Sequence, residues 1–103
     1  MTQVRLSRRA QADLQSISRH TARNWGRQQA LAYLDSLENC CQLLSQHPAL
    51  GKDASIVATG LRMHRHQSHI VLYRVDHGGI LVARILHERM DVMRRYLESN
   101  DER

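Results

Sequence analysis

Near Gly60 the hydrophobic pattern of this chain changes period, from three- and four-residue steps to alternation. A helix repeats its faces about every 3.6 residues and a strand every two, so the switch separates a helical half from a sheet-forming half. Before it, Ala10, Leu14, Ile17 and Thr21 recur at helical spacing. That predicts a helix from Arg8 to about Asn24, entered through the capping oxygen of Ser7, with Arg9, Gln15, Ser16, Arg19 and Arg23 facing outward. Gly26 breaks it, and Trp25 is expected to plug the corner of a helical hairpin. A second helix is expected from about Arg27 to Gln46, with Ala30, Tyr33 or Leu34, Leu37, Cys41 and Leu44 inward. His47-Pro48 ends it, because proline drives the preceding residue out of helical conformation. Pro48 to Gly60 reads as turn and loop.

Beyond Gly60, Leu61 and Met63 alternate with Arg62 and His64, and His69 to Val75 forms a Val/Ile/Tyr-rich run. His77-Gly78-Gly79 supplies a hairpin turn into Ile80 to Leu86, and Asp91 to Leu97 is a short helical segment. Val4 to Leu6 suits an edge strand. The order predicts an α+β domain: an N-terminal strand, a helical hairpin, then a three-stranded antiparallel meander with both helices on one face of the sheet. At 103 residues there is room for one domain, here residues 1–97, followed by a polar tail at 98–103. With no Phe, the core must be built mainly from Leu, Ile, Val, Met and Ala. Cys40 and Cys41 are adjacent, which disfavours a disulfide and fits reduced thiols in the cytoplasm. No apolar run approaches membrane-spanning length, and the N-terminus lacks the apolar core of a signal peptide.

Charge narrows the partners. Residues 1–27 hold six Arg and one acid, and residues 61–97 hold seven Arg and three acids, while the segment between them is slightly acidic. A net charge of +5, almost all of it from Arg, suits forked contacts to carboxylates or phosphates on nucleic acid, an acidic protein or a DNA-bound enzyme. The chemistry that ordinary hydrolases need is missing: no Gly-rich phosphate loop, nucleophile elbow or paired sheet carboxylates. His64, His66 and His69 have no acid or cysteine close in sequence to complete a metal site, so neither metal nor cofactor is expected. What remains is a set of sheet and post-sheet residues: Arg62, Arg65, Arg74, Arg84, His87 and Arg89, with Tyr73 and Tyr96. Such groups can build a metal-free ribonuclease, a binding surface or intramolecular ion pairs.

Several stretches resemble one family. Gly60-Leu61-Arg62-Met63, His69-Ile70-Val71-Leu72-Tyr73-Arg74 and Arg84-Ile85-Leu86-His87-Glu88-Arg89-Met90-Asp91 are similar to the ParE toxins of ParDE toxin–antitoxin systems. So are Leu6-Ser7, Ala10-x-x-Asp13-Leu14, the Asn24-Trp25-Gly26 corner and His47-Pro48-Ala49-Leu50-Gly51. The resemblance runs from about residue 4 to residue 97 and implies the RelE/ParE-like fold. It also implies a non-enzymatic toxin that stalls DNA gyrase with cleaved DNA, serves plasmid maintenance and is neutralised by a ParD-type antitoxin in a hetero-oligomer. On that footing Arg62, Arg65, His87, Arg89, Arg94 and Tyr96 are expected to face gyrase. Arg8, Arg19, Arg23 and Trp25 are expected to face the antitoxin. The alternative is a RelE-like ribosome-dependent messenger RNA nuclease. Arg65, Arg89 and Tyr96 partly match that branch, but no lysine lies on the sheet, the single Lys52 being in the loop, and only His87 could fill the gap. A DNA-binding regulator is a third class; as a toxin, the isolated chain should bind bare DNA weakly.

Overall fold

In a computed structural model, residues 3–98 are described. They form strand β1 (Gln3–Leu6), helices α1 (Arg8–Trp25) and α2 (Arg27–Gln46), and a single 3-10 turn at Pro48–Leu50. Strands β2 (Lys52–Asp53), β3 (Leu61–His66), β4 (His69–Asp76) and β5 (Gly79–His87) follow, then helix α3 (Val92–Glu98). The expected α+β architecture holds, with α1 and α2 packed against one face of the sheet.

Local chemistry sets the boundaries. Ser7 Oγ accepts from the Ala10 amide at 3.0 Å, capping α1, and donates to the Ala83 carbonyl at 2.7 Å, so the cap also ties the helix to β5. Gly26, at φ +94°, closes α1 through its amide on the Ala22 carbonyl and opens α2 by accepting from the Ala30 amide. A single residue thus makes the whole corner. Trp25 does not plug it: its side chain is 73% exposed, because a one-residue break leaves no cavity to fill.

The sheet order is β1-β5-β4-β3-β2, one strand more than the sequence predicts. β1 pairs parallel with β5, Gln3 opposite Gly79 and Leu6 opposite Val82, whereas the other neighbours are antiparallel. β2 lies inside the segment expected to be loop; its two residues pair Lys52 with Met63 and Asp53 with Arg62. The register shifts between Leu72 and Tyr73 of β4: Leu72 lies opposite Arg84 and Tyr73 opposite Val82, which leaves Ala83 as the extra residue of a bulge in β5.

Each face of the sheet has its own core. Val71, Tyr73, Ile80, Val82 and Ile85 pack with Ala10, Ile17, Leu37, Cys40, Cys41 and Leu44 of the hairpin. On the other face Leu61, Ile70, Leu72 and Leu86 are covered by Ala54 from the loop and Tyr96 from α3. The fully buried Tyr73 crosslinks the first core, its Oη donating to the Pro48 carbonyl at 2.5 Å and accepting from the Gly51 amide at 3.0 Å. Glu98 closes α3 instead of starting a tail, and residues 99–103 lie outside the described part.

Candidate functional site

A groove of about 930 Å³ opens where α1, the β3–β4 turn, the end of β5 and α3 meet. One wall is built on the β5 bulge. There the Asp13 carboxylate accepts from Arg84 Nε at 2.8 Å, from Arg84 Nη2 at 2.9 Å and from the Ile85 amide at 2.9 Å. The irregular backbone therefore has its amide satisfied by a helix side chain, and the arginine that interrupts an apolar strand is neutralised by the same group.

The other wall is a cluster of rings from distant segments. Tyr33 Oη of α2 lies 2.6 Å from His69 Nδ1 of β4, and the His69 and His87 rings meet nearly perpendicular at 5.3 Å. Tyr33 also sits tilted against His66 at 5.9 Å. Burial, reinforced by His87, His66 and His20 as potential cations and opposed by Glu88, brings the His69 pKa down to about 4. Burial lowers His66 as well, with His64 adding to the effect. Burial raises the Tyr33 phenol, against the opposing pull of hydrogen bonds from Ser68. Tyr33, His66 and His69 are therefore neutral hydrogen-bonding groups at physiological pH, set among the apolar side chains of Ile17, Trp25 and Met90.

The arginine-rich residues separate into engaged and open groups. Arg62 donates to the Gly51 carbonyl from both Nε (3.1 Å) and Nη2 (2.6 Å). Arg65 pairs with Glu88 at 2.6 Å, and Arg74 donates to Tyr96 Oη at 3.1 Å. Arg94 makes an exposed i,i+4 pair with Glu98 at 3.4 Å. Arg89 is exposed, with no ion pair among the described residues. Arg8, Arg19 and Arg23 are also exposed, and at about 100° per residue they fall within one arc of roughly 60° along α1.

Two expected site residues sit elsewhere than a surface reading suggests. Tyr96 is buried against Leu61, Ile70 and Leu72, on the sheet face away from the hairpin, and so anchors α3 instead of presenting its ring to solvent. His87 lies on the opposite face, inside the groove with His69, so His87 and Tyr96 do not converge. Sequence reasoning missed Tyr33, His20 and the Asp13–Arg84 pair as site builders. The seven histidines were a visible signal, but not which of them meet. The groups of histidine, cysteine and acid among the described residues include none suited to a metal ion.

A helical hairpin on a mixed sheet, with an open groove at one end and a basic helix face beside it, defines a class of small α+β binding domains. Comparison with known proteins narrows it. Residues 4–92 match the model of the ParE toxin of type II toxin–antitoxin systems. The chain is 41% identical over 97 residues to toxin ParE of Escherichia coli, covering 92% of this chain and 93% of that one. It is 35% identical over 91 residues to toxin ParE1 of Caulobacter vibrioides, covering 88% and 94%. With toxin ParE1 of Mycobacterium tuberculosis it shares 39% identity over 90 residues, covering 86% and 92%. A solved structure described as a chromosomal ParDE system from P. aeruginosa has the same fold, with a TM-score of 0.72 at 24% identity, covering 84% of this chain and 96% of that one. The chain belongs to the ParE family of toxins of type II toxin–antitoxin systems.

Proposed function

We propose that this protein poisons DNA gyrase in the cytoplasm by binding, stabilising cleaved gyrase–DNA complexes, and that a ParD-type antitoxin neutralises it within a hetero-oligomer. The observation that carries the binding reading is where the groups suited to metal-free RNA cleavage are spent. Arg62 and Tyr73 hold the Pro48–Gly51 turn, Arg74 holds Tyr96, and Arg84 holds Asp13. These bonds support a structural use of five of the eight groups that a metal-free nuclease could draw on as acid, base and charge stabiliser, with Arg65, His87 and Arg89 outside them.

Two surfaces carry the proposed contacts. The antitoxin runs along the groove and the Arg8–Arg19–Arg23 face of α1, with Trp25, which lines the groove, as an apolar anchor. Gyrase meets the surface outside the groove at the end of β3, after β5 and on α3, at Arg65, Arg89 and Arg94, with Arg62, His87 and Tyr96 as its further contacts. The test is an Arg65/Arg89/Arg94→Ala triple variant, confirmed folded by circular dichroism. It should lose growth inhibition and gyrase–DNA trapping while still binding antitoxin. Unchanged toxicity in the folded variant would remove these residues from the gyrase contact.

A further inference from the structure

The hydrogen bonds of the ring cluster determine where its protons sit. At 2.6 Å the Tyr33–His69 contact is shorter than N–H···O bonds run, so the Tyr33 hydroxyl donates its proton to His69 Nδ1. His69 therefore carries its hydrogen on Nε2. The Arg89 amide donates to His87 Nδ1 at 3.1 Å, so His87 also carries its hydrogen on Nε2. The same reasoning fixes a neighbour: Ser36 Oγ–H is committed to the Tyr33 carbonyl at 2.7 Å, so His66 Nε2, at 2.9 Å, donates to Ser36. Among the described residues, neither His69 Nε2 nor His87 Nε2 has a partner, and both rings line the groove. Two donors with fixed tautomers thus stand side by side, on rings whose centroids are 5.3 Å apart. An N–H···O contact spans about 2.9 Å, so the two oxygens of one carboxylate can meet both rings.

We propose that the His69–His87 pair is a carboxylate-binding site that takes an acidic side chain of the antitoxin segment occupying the groove. This rests on the toxin–antitoxin reading above for its occupant. Carboxylate is favoured over phosphate by the donor set: two ring N–H groups match two oxygens, whereas a phosphate dianion calls for cationic forks. Of the arginines lining the groove, Arg84 is already closed on Asp13. The flanking Ile17, Trp25 and Met90 fit the apolar neighbours of an acidic residue in a polypeptide. Tyr33 is a positioning residue: it acts through His69, by holding the tautomer.

The test begins with the isolated protein. Its imidazole nitrogens are followed by 15N NMR during titration with sodium acetate, sodium phosphate or sodium chloride at matched ionic strength. Saturable shifts confined to His69 and His87 with acetate, and absent from exposed His47 and His77, are expected. No such shift, or a response to phosphate at lower concentration than to acetate, overturns the carboxylate assignment. The second arm measures antitoxin binding by calorimetry. His69→Phe, which keeps an aromatic ring but no donor, should weaken it roughly tenfold or more, the value of a charge-assisted hydrogen bond. His69→Gln should recover part of that loss. Tyr33→Phe should weaken binding less and alter the His69 tautomer signature of the nitrogen spectrum. Wild-type affinity in His69→Phe overturns the site as an antitoxin contact. If wild type binds no antitoxin at all, the toxin–antitoxin reading fails, and the acetate titration still decides the site.

Discussion

Replacing Asp13 with alanine removes a group that ties α1 to the bulge of β5. Three hydrogen bonds are lost at once, two from Arg84 and one from the Ile85 amide. The side chains of the pair are only 13% and 11% exposed, so the near-zero value typical of surface ion pairs does not apply. Breaking a shielded pair from one side costs about 3–5 kcal/mol, and the residual exposure places this one near the lower end, at about 3 kcal/mol. A domain of this size has roughly 5–15 kcal/mol of stability in all. At about 4–8 °C per kcal/mol, the midpoint of thermal unfolding should fall by roughly 12–24 °C. Urea unfolding of Asp13→Ala, Arg84→Met and the double variant measures the coupling directly. The double variant should be more stable than the sum of the single losses predicts, because removing both partners leaves no stranded charge. Additive losses, or a cost below about 0.5 kcal/mol for Asp13→Ala, would refute the view that this pair holds the groove wall.

Three further outcomes follow from the packing. Gly51→Ala should destabilise by about 2 kcal/mol or more in urea, since its Cβ would sit 2.2 Å from Tyr73 Oη, in place of the hydrogen bond that closes the turn. His69 has a folded pKa near 4, below its unfolded value, so the unfolded chain binds more protons between about pH 6.5 and 4. Stability should therefore fall on acidification through that window, by on the order of 1 kcal/mol after solvent screening, and His69→Gln should flatten that part of the pH profile in urea titrations. Burial pushes the Cys41 thiol up to about 12 and raises Cys40 as well. Both should resist iodoacetamide in the folded protein at pH 8 and react in urea, as read by intact mass.

Helix boundaries were legible because their punctuation is local. Ser7 offers a cap, Gly26 supplies a positive φ, and Pro48 forbids continuation, so α2 runs over the expected residues and α1 extends one residue further. The strands after Gly60 were legible from alternation, yet alternation says nothing about partners. Hence the parallel pairing of β1 with β5 and the two-residue β2 lay beyond reach. Trp25 was misplaced because a large apolar ring beside a turn normally finds a cavity, and a one-residue corner offers none. The arginines were visible, but their use was not: Arg62 and Arg84 owe their roles to groups 11 and 71 residues away. The ring site has the same character, with Tyr33 and His69 separated by 36 positions and brought together only by the packing of α2 on the sheet.

The most direct measurement is a supercoiling assay with purified gyrase, relaxed plasmid and this protein, read with and without detergent. Loss of supercoiling together with linear DNA released by detergent is the predicted result. Unaffected gyrase, combined with cleavage of messenger RNA on added ribosomes, would contradict a toxin that acts by binding.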